Sequence, residues 1–459
     1  MISLMSSVAV GFVLPKILSV TDYGFYKVFT LYAVYTALLH FGFVDGILLK
    51  ISGKEYRELD PQKMRAYTRF FVFLETCISF VVLLIGTFIA NGEYLFIVIM
   101  LAFNLVFVNI TTYYQFVSQA VQRFGEYSAK NIAISVIKVV FVLILFALDA
   151  GNVSEVSYRI YLIGLNILDF SIMVWYIAIY RDITFGKGQS IRSVKKDIVS
   201  IFKSGILLTL AYQVSHLILA LDRQFVNLLF STEDFAVYSF AYNIVSLIST
   251  MVSSMSIVLL PMLKNRSHET VVSSYKKCLS TVAMIASAGL LCYFPLVLFI
   301  NWFLPEYRSS ITYIAIVLPA FLFTSSITVV MFTINKVLEM NFAFFKDGCL
   351  ILVLGLAFNM IAYYFFKSPI AISFASLIVT MIWFLVSSMR LEKQTSVRAY
   401  KEFVYLCVVA IGFLLIAYCV DNLFAGFVMY LVWCLTWVAL FYKAILKDIL
   451  TALKKLLHN

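Results

Sequence analysis

Lys138 stands in the apolar run "NIAISVIKVVFVLILFAL" (131–148), about eleven residues from either end of a candidate helix. An unbroken helix would hold it roughly 16 Å deep in a bilayer, too far for its side chain to reach surface water. A cation so placed has two uses. It can hold an anion such as a pyrophosphate or an acidic sugar, or it can pair with a fixed carboxylate. Asp169, similarly deep in "LNILDFSIMVW" (165–175), offers the second.

Other charges in apolar surroundings extend the choice. Lys27, one turn inside a span, either snorkels to the outer interface or lines the mouth of a cavity. Arg223 follows Asp222 in "ALDRQF" (220–225), where the two form an interfacial pair, a helix cap or a contact at an outer gate. Lys138, Lys27 and Arg223 are therefore the candidates for a cationic substrate-binding cavity. Asp169, Glu75, Asp45 and Asp222 are candidates for ion coupling or charge pairing. Asp45 and Glu75 are placed within about two turns of the cytoplasmic boundary, where hydrogen bonding at helix ends competes with a proton or sodium role. His40 and His216 are isolated within spans and read as packed, hydrogen-bonded groups rather than a proton relay.

Catalytic patterns are missing. The seven cysteines form no CxxC and lie mostly in apolar runs, which points to packing. Nucleophile elbows, zinc spacings and P-loops are absent, and the outer links are too short for a membrane glycosyltransferase or ligase site. No catalytic residue, metal or cofactor is expected, and the chain reads as a transporter rather than an enzyme.

The elements that must position these charges are membrane helices. Of 459 residues, 63% are hydrophobic and only 13% charged, with mean hydropathy +0.97. A soluble domain would carry about 25% charged residues. Fourteen spans are predicted, at roughly 1–19, 23–49, 66–90, 94–121, 126–148, 155–180, 199–221, 235–260, 273–302, 309–333, 341–366, 369–390, 401–420 and 424–444. The net charge of +11 does not indicate nucleic acid, because the basic residues crowd into alternate links. Lys50, Lys54, Arg57, Lys63, Arg65 and Arg69 fill one such link; Arg181, Lys187, Arg192, Lys195, Lys196 and Lys203 fill another. Of 35 Lys and Arg, 28 fall on one side, which puts both termini in the cytoplasm. Residues 2–14 show neither a basic n-region nor a cleavage site, so no cleavable signal peptide is expected. Only fourteen residues precede Pro15, about 21 Å of helix against ~30 Å of hydrocarbon, so the natural start is expected upstream of Met1.

A repeat organises the spans. "LSVTDYGFY" (18–26) is echoed by "FSTEDFAVY" (230–238), with Ser19/Ser231, Asp22/Asp234, Tyr23/Phe235 and Tyr26/Tyr238 all offset by 212. "GEY" (92–94) and "PEY" (305–307) follow at an offset of 213. Six spans separate the copies, as in parallel-repeat transporters. The predicted organisation is a six-helix lobe at 1–180, a basic cytoplasmic linker at 181–198, a second six-helix lobe at 199–390, and a helix pair with a basic tail at 391–459. Pro15 is expected to end the first helix, and Ser19, Thr21 or Asp22 to cap the second.

A first helix ending at proline, the "LSVTDYGFY" opening of the second, "FGFVDG" (41–46) near its far end and the second copy opening helix eight together resemble the polysaccharide-repeat-unit flippases of the Wzx type. These belong to the multidrug/oligosaccharidyl-lipid/polysaccharide exporter superfamily. The resemblance implies an all-α integral membrane fold of two six-helix lobes around a central cavity. It also implies movement of undecaprenyl-pyrophosphate-linked glycans across the bacterial inner membrane, for O-antigen or capsule. The implied partners are that lipid-linked glycan, membrane lipid, a polysaccharide polymerase and a chain-length regulator. Multidrug antiporters and lipid II flippases share the architecture and are the alternatives.

Overall fold

The computed structural model describes residues 2–151, 156–264 and 266–457. Residues 152–155 of the predicted outer link, and positions 1, 265, 458 and 459, lie outside the described residues. The described residues form helices and turns, with no strand among them. In order the helices are α1 (Ile2–Ile17), α2 (Val20–Thr36), α3 (Phe43–Ile51), α4 (Pro61–Ile89), α5 (Glu93–Ala120), α6 (Phe124–Ala150), α7 (Tyr158–Ile179), α8 (Arg181–Thr184) and α9 (Lys195–Leu229). They continue with α10 (Thr232–Lys264), α11 (His268–Gly289), α12 (Tyr293–Phe303), α13 (Ser310–Ser325), α14 (Phe332–Val337), α15 (Asn341–Phe366), α16 (Pro369–Thr395), α17 (Tyr400–Cys419) and α18 (Leu423–Leu457). A π-helical stretch, Ser326–Met331, joins α13 to α14.

Among the described residues ten helical stretches are long and apolar enough to cross a membrane, and α9, bent by 43° between Ala211 and Gln213, makes an eleventh if its two halves form one span. The remaining three of the fourteen predicted spans correspond to α1, to α2 with α3, and to α10, which is rich in Ser and Thr. The second predicted span is not continuous. Residues 37–42 form turns, with φ of 47° at Phe41 and 83° at Gly42.

The chain divides into two compact units, Met1–Ala236 and Val237–Asn459. In the first, α1 packs on α6, α4 and α7 flank α5, and α3 is pressed between α5 and α9. Its core is aromatic: Phe43 stacks on Phe71 at 5.1 Å, and Tyr113 meets Tyr114 edge-on at 5.2 Å. In the second, α16 packs on both α13 and α15, and α17 on α18.

The motifs have local explanations. Ser19 caps α2, its Oγ accepting from Asp22 N at 3.1 Å, and Ser231 Oγ accepts from Asp234 N at the same 3.1 Å. The repeated Ser-x-x-Asp is thus the same N-terminal turn built twice. Asp22 caps a different helix, accepting from Tyr158 N at the start of α7 at 3.2 Å. Pro15 does not end α1, which closes two residues later at Ile17: near a C-terminus the missing N–H costs one bond only.

"FGFVDG" is a packing device. A Cβ on Gly46 would overlap the Ile201 carbonyl oxygen, and one on Gly205 would overlap the Gly42 carbonyl oxygen. The backbones of α3 and α9 therefore touch, as small residues allow in membranes. The basic segment after α7 is also fixed. Arg65 donates from Nε to the Asp182 carbonyl at 2.7 Å and from Nη1 to the Lys187 carbonyl at 2.9 Å, and Tyr56 Oη donates to Asp182 at 2.6 Å.

Candidate functional site

Lys27 and Arg223 come together between α2 and α9. Lys27 lies seven residues into α2 and Arg223 six residues from the end of α9, so each is about 10 Å from its helix terminus. Those two termini adjoin, since just past the end of α9 Glu233 accepts from Thr21 Oγ1 at 2.6 Å and a Cβ on Gly24 would overlap Thr232. Both cations are half-buried and within electrostatic range of one another. The Lys27 ammonium stands 5.0 Å from the Tyr23 ring and 5.1 Å from the Tyr26 ring, so its charge rests against two π faces.

A tyrosine–amide lattice continues the strip. Gln224 Nε2 donates to Tyr32 Oη at 3.0 Å, Tyr35 Oη donates to Gln224 Oε1 at 3.3 Å, and Asn227 Nδ2 reaches Tyr32 Oη at 3.4 Å. His216 lies within electrostatic range of Arg223. Asp222 is buried, and one of its oxygens accepts from the Arg223 backbone N–H at 2.7 Å. It does not cap a span end, because α9 runs on to Leu229. Gln224 and Asn227 on that further stretch of helix bond the α2 tyrosines. Two cations beside phenol and amide groups suit a cargo that is both anionic and rich in hydroxyls.

Lys138 belongs to a separate group on α5, α6 and α7. Asp169 accepts from Asn104 Nδ2 at 2.9 Å and feels the charges of both Lys138 and Lys130. Lys130 Nζ itself donates to Gln115 at 2.7 Å. Among the described residues no Lys138–Asp169 ion pair closes within 4 Å. The lysine is half-buried beside the acid rather than joined to it.

The other two acids are built into helix contacts. Asp45, buried on α3, receives the hydroxyl of Thr209 on α9 across the glycine contact. Glu75 lies at the midpoint of α4, bonded not to a helix end but to Asn109 of α5 at 2.8 Å. His40 packs into the turn after α2, its Nδ1 accepting from Gly42 N at 3.1 Å.

Sequence reasoning missed Lys130, Asn104, Gln115, Tyr32, Gln224 and Asn227. One signal was available: Arg223 and Asn227 stand four apart and share a helix face with Gln224 beside them.

With this geometry established, comparisons give it a family. Residues 2–266 match the family described as "Polysaccharide biosynthesis protein", and the chain belongs to it. Among solved structures, the fold is similar to that of the lipid II flippase MurJ in an inward closed conformation, with TM-score 0.70, 12% identity, and 97% of each chain covered. It is also similar to an inward-facing multidrug resistance transporter of the MATE family in the MOP superfamily, with TM-score 0.56, 14% identity, and 86% of this chain and 96% of the other covered. None of the curated proteins matches by sequence. The chain is a multi-pass membrane protein that shares the fold of this flippase and this transporter.

Proposed function

We propose that this protein flips undecaprenyl-pyrophosphate-linked oligosaccharide repeat units across the bacterial cytoplasmic membrane by alternating access, for O-antigen or capsule assembly. The Lys27–Arg223 strip, lined by Tyr32, Tyr35, Gln224 and Asn227, is the observation that carries this reading. A hydrated glycan diphosphate cannot enter hydrocarbon unaided, because each charge or hydroxyl buried without a partner costs several kcal/mol. Cations supply partners for the diphosphate, and phenols and amides for the sugar, while the polyprenyl tail stays in lipid. Both termini lie in the cytoplasm on the charge bias.

Deletion of the gene tests the proposal. The expected result is loss of surface polysaccharide, with lipid-linked repeat units accumulating on the cytoplasmic face. Normal surface polymer with accumulated lipid II would move the cargo to the peptidoglycan precursor. Normal surface polymer with neither intermediate would overturn the flippase reading.

A further inference from the structure

Glu75 is a buried carboxyl outside the Lys27–Arg223 strip. It is 0% exposed, and among the described residues its one hydrogen bond comes from Asn109 Nδ2 at 2.8 Å. Its other oxygen, Oε1, is buried with no hydrogen-bond partner among the described residues. The same Asn109 nitrogen reaches the carbonyl of Thr36 at 3.3 Å. Thr36 is the last residue of α2, and the helix breaks immediately after it. One amide therefore ties the acid to the rim of the broken span.

The surroundings select the occupant. Titratable groups on the neighbouring elements include Arg69 on α4, Tyr113 on α5, Asp182 on α8, Tyr35 on α2, His40 in the turn and Asp45 on α3. Among the described residues none of them closes an ion pair with Glu75. Tyr113 is engaged with Thr68 at 3.0 Å, His40 with Gly42, and Asp45 with Thr209. A carboxylate with one donor and no counter-charge in such a place is costly, and a bound proton removes that charge. A metal cation fits less well. The group between the carboxyl and the Thr36 carbonyl is an N–H donor, which offers a hydrogen where a cation needs converging oxygens.

We infer that Glu75 is a proton-binding site, linked through Asn109 to the break in the second span. Proton loading and the geometry of residues 37–42 are then two sides of one equilibrium. The inference extends the transport reading without depending on which cargo moves.

Infrared difference spectroscopy on the purified full-length protein in lipid tests it, with Glu75→Gln, Asn109→Leu and His40→Gln compared as monodisperse samples. The wild type should show a protonated-carboxyl C=O band at neutral pH that is absent from Glu75→Gln, moves in Asn109→Leu and survives in His40→Gln. Hydrogen exchange across 37–42, taken as the ratio of wild type to Glu75→Gln at each pH, should change several-fold as that band titrates. Absence of a Glu75-dependent band overturns the proton site. A band whose titration leaves the exchange ratio flat overturns the link to the break. A band that follows sodium concentration rather than pH replaces the proton with a cation. All three readouts are made without glycan, so failure here is separable from failure of the flippase reading.

Discussion

In the second unit, buried Asp347 of α15 meets the guanidinium of Arg390 on α16 through both Nε and Nη2, an ion pair that neutralises the acid where it stands. Glu402, a second buried acid among the described residues there, lies in the first turn of α17, where the helix dipole favours negative charge, and accepts from Ser280 at 2.9 Å. The first unit also pairs Asp197, Glu126 and Glu93 with Lys50, Arg123 and Arg159, but it holds two acids deep in its spans differently. Asp169 and Glu75 are bonded to the side-chain amides of Asn104 and Asn109, with no cation at ion-pair distance among the described residues. Lys27 and Lys138 rest against tyrosine rings or near an acid rather than in closed pairs. Charges closed into pairs serve the scaffold; charges left to amides and rings can respond to a cargo or a proton.

The scaffold that presents those open charges should be the easiest thing to break. Gly46→Val forces a side chain into the α3–α9 backbone contact and should cost about 3 kcal/mol or more, read as loss of monodisperse protein in size exclusion. Next, Asp347→Ala strands Arg390. Because Arg390 is partly exposed, the expected loss is about 2–3 kcal/mol, at or below the low end for a buried pair, seen as a fall in Tm. Asp347→Leu combined with Arg390→Met should recover most of it. Asp169→Asn keeps the shape and removes only the charge, so its cost should stay under about 1 kcal/mol. If Asp169→Asn costs as much as Asp347→Ala, the distinction between closed and open charges fails. Most even are the caps: Ser19→Ala and Ser231→Ala should each lose about 1 kcal/mol, and unequal losses would separate the two copies of the motif.

The sequence made some of this legible because the relevant forces are local. Apolar runs announce spans, and Ser19 and Ser231 announce helix starts, since both act within a few residues. The break at 37–42 was hidden, because "ALLHFG" is mostly apolar and hydropathy is blind to a backbone that turns at Phe41 and Gly42. Partners far apart in the chain were hidden as well. Asp45 finds Thr209 and Glu75 finds Asn109 only after the helices pack, so the sequence suggested roles near the cytoplasmic boundary for acids that bond across helix contacts. Lys27 and Arg223 were each visible as odd charges. Their meeting, and the tyrosine–amide lattice beside them, depend on α9 continuing past Arg223 to Leu229.

The claim that open cations in the first unit handle an anionic cargo is tested most directly by complementation of a deletion strain at equal protein expression, with surface polysaccharide as the readout. Lys138→Ala and Lys27→Ala should each impair export, the double variant should abolish it, and Lys138→Arg should restore part of it. Full surface polymer from the double alanine variant would contradict the account.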